Sequence, residues 1–546
     1  MREETVETDV LCVGGGIAGL MASIRASELG ARVVVAEKAN SIRSGAGGMG
    51  NDHFACYIPD VHGPDIKPMI EGFRHSLGNG WHDIDYIQSW LEKSFVMVQL
   101  WESWGIPMKS EGRYEFAGHG LPGKPLQALK YSGQNQKRIL TSEALKRGVQ
   151  IMNRVMVFEL LRSDQGIIGA LGVDTRAERL IKFQARSVIL GTGQCMRLYP
   201  SPTPGWMFNI SNPPSDTGDG RAMAYRVGAE LVLLEIPMPW AGPKYFARCG
   251  KGTWVGVFRD PQGKAIGSIV TKPDKKYGDI TADLYPAIFE DYARSGKGPV
   301  YMDCGGISDK DFDYMIRYLK QEGNIAFLNH LEEQGIDVRE HPVEFTTYER
   351  APRGGVYYNK KGETSVEGLY AAGDEIFGGI SNAATFGWIA GENAAIHAKE
   401  VQPLDMQKVN DTIEEKKNLF AEVRGRKIGA SWKEVNIALQ QIMHDYAGAV
   451  RSETMLHAGL SYLRRLKQNA FTTMMAENQH ELMHCLEVLN LLDVGELVFV
   501  AAIERRETRG THFRPDHPFT NPLMDQLLVV KMVSGEMATG WKEIKR

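Results

Sequence analysis

Hydrophobic and polar positions change period along this chain in an informative order. Asp9-Val10-Leu11-Cys12-Val13 is a short apolar run, and Ala31 to Ala36 is another, closed by Glu37. Between them lie Gly14, Gly16 and Gly19 and a segment patterned as a helix, so residues 9–37 predict a strand, a glycine turn, a helix and a second strand. Helical patterning follows from about Asp83 to Gly105, and Lys182 to Leu190 reads as a strand ending at Gly191-Thr192-Gly193. Gly368 to Asp374 reads as a further strand ending on the Gly373-Asp374 pair. The small-residue run Gly378 to Ala395, with Asn382 and Ala383 near its start, suits a helix N-terminus packed close to a ligand. From about Gln407 to Arg506 apolar residues recur at helical spacing, as at Leu456, Leu460, Leu463 and Leu466, which predicts a helical bundle.

The first unit carries chemistry. In a G-x-G-x-x-G, Gly14 permits the tight turn, Gly16 lets a pyrophosphate approach the backbone and Gly19 lets the helix pack on its strand. The N-terminus of the helix that contains Ala18 then faces the phosphate charge. Glu37, followed by Lys38, is spaced to accept hydrogen bonds from ribose hydroxyls. Both strands and the acid at this spacing predict dinucleotide binding. The loop of small residues Ser44 to Gly50, which includes Gly48, should run past the ligand, and Gly191-Thr192-Gly193 offers a second point of contact.

Composition sets limits. The 546 residues, 43% hydrophobic and 24% charged, are enough for two or three domains with substantial cores. A net charge of -4 gives no nucleic-acid footprint, so an anion site must come from a local cluster. With no apolar run long enough to span a bilayer and a charged start at Met1 to Thr8, the chain is expected to be cytoplasmic, with no transmembrane segment. The six cysteines are scattered without a C-x-x-C pair, so an iron–sulfur cluster would have to sit on another subunit, and no metal ligands are assigned. Between about Leu231 and Glu340 aromatics, prolines and lysines become frequent, as expected of a domain inserted over the cofactor. The expected division is 1–230 and 345–402 for the dinucleotide domain, 231–344 for the insertion, 403–520 for the helical domain and 521–546 for a tail.

Several further motifs fall in one order. They are Arg43-Ser44-Gly45-Ala46, Thr217-Gly218-Asp219-Gly220, Gly298 to Asp303, Val366 to Asp374, and Arg505 to Arg514. Together with the opening fingerprint they resemble the flavoprotein subunits of the succinate dehydrogenase, fumarate reductase and adenylylsulfate reductase superfamily over nearly the whole chain. The resemblance implies FAD as cofactor. It also implies an α/β fold: a Rossmann-like FAD-binding domain, an inserted α+β capping domain and a C-terminal helical domain.

Departures from the family sharpen the reading. Where covalent members have a His after Arg-Ser, this chain has Gly45, which implies non-covalent FAD. The dicarboxylate grips of fumarate reductases are replaced by Met238-Pro239-Trp240-Ala241-Gly242, by Arg350 ahead of Gly354-Gly355, and by Gly378 to Thr385. Pro239 to Trp254 looks more like the adenylylsulfate reductase α subunit, which works with a ferredoxin-like iron–sulfur subunit. That branch nonetheless has an Arg where Lys244 falls, an Asn where Ala55 falls and a His absent from Ser381 to Trp388.

An anionic substrate needs cations, and guanidinium groups grip oxyanions best. Lys244, Arg248, Lys251, Arg350 and Arg353 are the candidates; Trp240 is a candidate stacking group and His53, beside Asp52, a candidate proton donor. Glu349 is expected to compete for Arg350, and Arg509, His512 and Arg514 are expected to be structural. Three functions remain open: an adenylylsulfate-reductase-like enzyme, a fumarate-reductase-like C=C reductase or dehydrogenase, and an electron-relay component of a larger complex.

Overall fold

A computed structural model describes residues 1–546 except 76–79, 202, 204–206, 247–252, 268, 279, 286, 377 and 403–405. Its centre is a seven-stranded sheet. Arg2–Val13 lies between the parallel strands Val33–Glu37 and Arg179–Leu190, and Gln150–Asn153 extends the first of these. Leu369–Ala371 pairs in parallel with the end of Arg179–Leu190, while Gly166–Asp174 and Val155–Ser163 continue the sheet antiparallel. The first strand begins well before its apolar run. Its polar start pairs with Arg179–Ala185, where Arg179 meets Glu4 at 2.8 Å and Lys182 meets Glu3 at 3.0 Å.

The parallel strands end together at Val13, Glu37, Leu190 and Ala371, so their glycine turns meet along one edge. Helix Ile17–Glu28 leaves the first turn and packs on the long helix Gly379–Glu400. The small residues explain the closeness of that contact, because a Cβ at Gly387 or Gly391 would run into the backbone of Ala18 or Ala22.

The inserted domain has a four-stranded antiparallel sheet, Pro237–Pro243, Val343–Pro352, Val300–Asp303 and Val257–Arg259, with helices that include Ile288–Arg294 and Asp309–Gln321. Trp254, Phe258, Phe289, Tyr314, Phe327 and Phe345 fill its separate core, which accounts for the aromatic composition. Two expected boundaries are corrected. The insertion spans Pro237 to Pro352, because Leu231–Val232 belongs to another sheet, between Gly355–Val356 and Leu527–Val533. Residues 521–546 are no tail: Leu527–Val533 and Glu536–Lys542 form a hairpin on that sheet. Ser534 and Gly535, both at positive φ, make its turn, and the apolar run Leu527–Val530 is buried.

Four helices, Asn410–Gly425, Trp432–Ala447, Glu453–Thr473 and Gln479–Glu504, form the C-terminal bundle. Ser431, Ser452 and Asn478 cap the last three, each cap stabilising its helix by about 1 kcal/mol. His512 is structural, as expected: buried, it takes a hydrogen bond from Arg451 on Nδ1 (3.1 Å) and faces the Arg505 carbonyl with Nε2 (3.0 Å), the pattern of a neutral ring. Arg514 likewise ties the bundle to its following loop through Ala502, Glu453 and Asp516, and Arg509 joins Glu507 to Asp525. Among the described residues no helix is long and apolar enough to cross a membrane.

Candidate active site

The joined glycine turns line an open cleft. Gly14, Gly16, Ala18, Glu37, Lys38, Ser44, Gly45, Ala46, Gly191, Thr192, Gly193, Asp219, Asp374 and Ala383 line it, all from the expected set. Gly19, Gly48, Gly373 and Asn382 stand behind the wall. Gly373, at φ +73°, leaves room for Ala18 and Ala383, and Asn382 is fully buried.

The cleft fits a dinucleotide on its own geometry. Helix Ile17–Glu28 starts at Gly16 with no side-chain cap and no acid in its first turn, so its first N–H groups are left for an anion. Glu37 accepts hydrogen bonds from the N–H groups of Gly15 and Ala39, both at 2.7 Å, which fixes the carboxylate at the edge where a ribose would lie. None of the described lining residues is a His, Cys or Tyr, the side chains that would form a covalent bond to a flavin.

Two of these lining residues join the wall to a layer of buried charge behind it. Lys38 bridges Asp219 and Glu487, both at 2.8 Å, and Asn490 donates to Asp219 at 2.8 Å. Burial disfavours the Lys38 ammonium, but the two carboxylates hold its pKa above the usual lysine range. The helical domain thus braces the cleft. Lys137 donates to the Gly15 carbonyl from the other side, and burial pushes its pKa down to about 8 against the pull of Glu37 and Asp216. Sequence reading misses Lys137, which has no motif around it.

The described candidate cations, Lys244, Arg350 and Arg353, do not form one cluster. Lys244 pairs with Glu344 at 2.9 Å on the surface, where its side chain is 42% exposed, and it lines neither described cavity. Arg248 and Lys251 lie outside the described residues, as do the side chains of Trp240 and Glu349. The Arg350 guanidinium meets Glu290 of the inserted domain at 2.5 Å, and Arg350 lines a second cavity between the inserted domain and the bundle, with Arg294, Arg509 and Thr511. Arg353 is buried, which lowers its pKa to about 10, and its charge helps depress His82. His82 stacks on Tyr86 (5.0 Å), and Tyr86 on Phe386 (4.3 Å). The Tyr86 hydroxyl accepts from Asn382 at 2.6 Å, and Tyr358 donates to Asn382 at 3.2 Å and to the Gly373 carbonyl at 3.2 Å. The expected site residue Asn382 is thereby locked under the first turn of Gly379–Glu400.

His53 sits in a network that the sequence does not reveal. It lies on the short strand His53–Ala55, whose Ala55 carbonyl accepts from Ser381; the neighbouring Ile380 lines the cleft. His53 Nδ1 is 2.6 Å from Asp52 Oδ1. The other Asp52 oxygen accepts from Lys130 at 2.9 Å and from the Thr253 hydroxyl, which itself accepts from Lys130 at 2.5 Å. The Asp52 N–H donates to Glu322 at 2.9 Å. Asp52, His53 and Glu322 bring ligand atoms within 4.8 Å of one another, as a metal site would, but the Lys130 ammonium supplies the positive charge there. Burial would raise the Asp52 carboxyl, yet Lys130, His53 and Glu322 hold it well below the usual range. Burial lowers the His53 pKa against the pull of Asp52, with His119 and Lys130 adding to the depression; the ring is still 37% exposed, which tempers it.

Comparison with known proteins agrees with this architecture. Residues 9–387 match the FAD binding domain family, and residues 436–536 match the fumarate reductase flavoprotein C-terminal family. A fumarate reductase (CoM/CoB) subunit of Methanothermobacter marburgensis is 26% identical over 554 residues, covering 96% of each chain. An L-aspartate oxidase of Vibrio cholerae is 25% identical over 553 residues, covering 94% of this chain and 96% of its own. The structure of adenylylsulfate reductase from Archaeoglobus fulgidus shares the fold, with a TM-score of 0.86 at 22% identity over 100% of this chain and 97% of that one. The chain belongs to the FAD-binding-domain flavoproteins, with a C-terminal region of the fumarate reductase flavoprotein type, and it is an FAD-dependent oxidoreductase.

Proposed function

We propose that this subunit holds FAD without a covalent bond and exchanges electrons between a small anionic substrate and a ferredoxin-like iron–sulfur subunit, in a hetero-oligomer, after the manner of an adenylylsulfate reductase α subunit. The carrying observation is the cleft itself: an uncapped helix N-terminus and a fixed Glu37 in a wall whose described residues include no side chain for a covalent link. In this reading Gly14, Gly16, Glu37, Gly45, Thr192 and Asp374 are among the residues that hold the cofactor. Bound FAD supplies a carrier of two electrons with a proton.

The chain's own groups do the rest. Arg353 and Arg350 stand where the strand Val343–Pro352 returns to the FAD-binding domain, and they orient the anion; a substrate at Arg350 has to displace Glu290. The inserted domain, through Thr253, helps keep water from the buried Asp52 beside His53. His53, held by Asp52 on Nδ1, keeps Nε2 for proton exchange with the substrate.

That same dyad favours a second reading, reduction of an activated C=C bond, a reaction that needs a proton beside each hydride. The methanogen relative named as a fumarate reductase spans nearly the whole chain, which fits this reading also.

Two measurements test the proposal. The purified protein is expected to show the visible bands of an oxidised flavin, and acid denaturation should release all of it; a chain that carries no flavin and takes up none would overturn the reading. The flavin is then photoreduced without air and mixed with adenylylsulfate, with fumarate or with neither. Rapid reoxidation with release of sulfite supports the first reading, a response to fumarate the second, and silence with both favours the electron relay.

A further inference from the structure

We infer that the inserted domain arms His53: by clamping Asp52 through Thr253 and Glu322, its docking sets the proton affinity of the imidazole that serves the substrate. This rests on the oxidoreductase reading above and adds a control to the same site.

The geometry carries the argument. Asp52 and His53 belong to the FAD-binding domain, as does Lys130 on the strand Ala128–Lys130 beside them, whereas Thr253 and Glu322 belong to the inserted domain. Glu322 caps the end of helix Asp309–Gln321, and that end abuts the loop before His53: a Cβ at Gly50 would strike the Gln321 carbonyl, and one at Gly323 would press on Met49. With the domains docked, Asp52 is fully buried and both its oxygens are engaged, one by His53 and the other by Lys130 and Thr253. The Thr253 hydroxyl completes the chain because it accepts from Lys130 and donates to Asp52.

Opening the seam removes Thr253 and Glu322 together and admits water to Asp52. The carboxylate then loses its Thr253 donor, binds the His53 proton more strongly and raises the imidazole pKa, while hydration eases charging of the ring. Docking reverses this and makes His53 the better acid at the moment the substrate is enclosed. The step balances as a proton transfer alone: the N–H bond at His53 Nε2 breaks, the proton bonds to the substrate, and the neutral ring keeps its Nδ1 proton on Asp52. Water at the exposed ring edge returns the lost proton. The charged and titratable groups facing this pair are His119, whose ring lies 5.1 Å from that of His53, Lys130, Glu322, and the tyrosines Tyr314 and Tyr318 on the docked helix. Thr253 and Glu322 are positioning residues, since each acts through Asp52.

The test reads His53 directly and needs no turnover. The rate of His53 carbethoxylation in the full flavin-loaded chain is followed against pH by peptide mass spectrometry, because only the neutral ring reacts. Thr253→Val is expected to raise the midpoint by roughly half to one pH unit, within the span that hydrogen bonding to a carboxylate commands, whereas Glu322→Ala is expected to lower it, because it removes a negative charge that favours the imidazolium. Thr253→Ser keeps the hydroxyl and should return it to the wild-type value. Flavin absorbance and thermal melting report separately on loading and folding. Midpoints that coincide in folded Thr253→Val and wild type overturn the inference, as does a shift that persists in Thr253→Ser. A chain without flavin would instead overturn the functional reading, and the His53 midpoint would still be measurable.

Discussion

The cleft and the seam are built from different parts of the chain. Backbone makes the cleft: glycines at strand ends, an uncapped helix N-terminus and one carboxylate held by two N–H groups. Side chains make the seam. His53, Asp52, Lys130, Thr253 and Glu322 converge from two domains into a network whose central carboxylate is fully buried. A backbone site tolerates change in the surrounding side chains, whereas a buried ionic network fails when one member is removed, because the remaining charge loses its partner in a low-dielectric setting.

The largest effect should therefore come from the seam. Lys130→Met leaves Asp52 buried without its cation and is expected to destabilise the protein by about 3 kcal/mol in chemical denaturation. Adding Asp52→Leu should recover a large part of that loss, since a well-packed apolar pair often replaces a buried ion pair at little cost. A single variant as stable as wild type would erase the contrast.

In the cleft the expected pattern is the reverse, with binding lost and stability kept. At Gly16 an added Cβ finds only the Gly191 carbonyl oxygen, at 3.7 Å, so Gly16→Ala should fold with a loss of about 0.5 kcal/mol, the difference between Gly and Ala at an N-cap. It should nevertheless bind FAD at least ~10-fold more weakly, because the methyl occupies the pyrophosphate's approach to the backbone. Flavin retention on gel filtration, read beside the melting temperature, checks both halves. Unchanged retention would mean that the phosphate does not use this turn.

This contrast also explains what can be read from the sequence. Gly14, Gly16, Gly19 and Glu37 lie within one local unit whose spacing encodes its geometry, so the cleft is legible, and Gly191, Asp219 and Asp374 follow from the order of the motifs. The seam has no local code. Thr253 and Glu322 reach Asp52 across 201 and 270 residues of chain, and no periodicity marks either as a partner. His53 stands out by its chemistry, whereas its partners Lys130 and Thr253 do not. The described cations are not clustered for a related reason: closeness in sequence groups them, but the fold sends Lys244 to solvent, Arg350 to Glu290 and Arg353 into the interior. The C-terminal hairpin is legible in principle, from the apolar run Leu527–Val530 and the Ser534-Gly535 turn, yet it reads as a tail because the strand it pairs with, Leu231–Val232, is short and distant in sequence.

Acid sensitivity gives a smaller effect, at His82 beside Tyr86. Burial, with Arg353 adding to it, lowers the His82 pKa to about 3. The unfolded imidazole, at about 6.5, binds its proton more readily than the folded one, so His82 stabilises the fold fully above that value and the contribution is lost as pH falls. The slope can reach ~1.4 kcal/mol per pH unit and should be smaller here because the ring is only half-buried. His82→Phe can keep the stack on Tyr86, so its urea midpoint should match wild type at pH 7 and exceed it at pH 5. Parallel losses in both proteins would show that His82 is protonated in the folded state as readily as in the unfolded one.

The smallest effect expected is that of Lys244→Ala, and it is the sharpest test of where the substrate sits. An exposed pair such as Lys244–Glu344, 2.9 Å apart with the lysine 42% exposed, contributes no more than about 0.5 kcal/mol, and added salt should reduce even that. If the anion is gripped by Arg350 and Arg353, where the inserted domain returns to the FAD-binding domain, the variant keeps its KM for the substrate that reoxidises the flavin, while Arg353→Ala raises it. A large rise in KM for Lys244→Ala would mean that the inserted domain closes further than the structure shows and carries Lys244 onto the substrate. The seam would then be an open state, and the grouping of cations by sequence would be right for a conformation in which Lys244 has left Glu344.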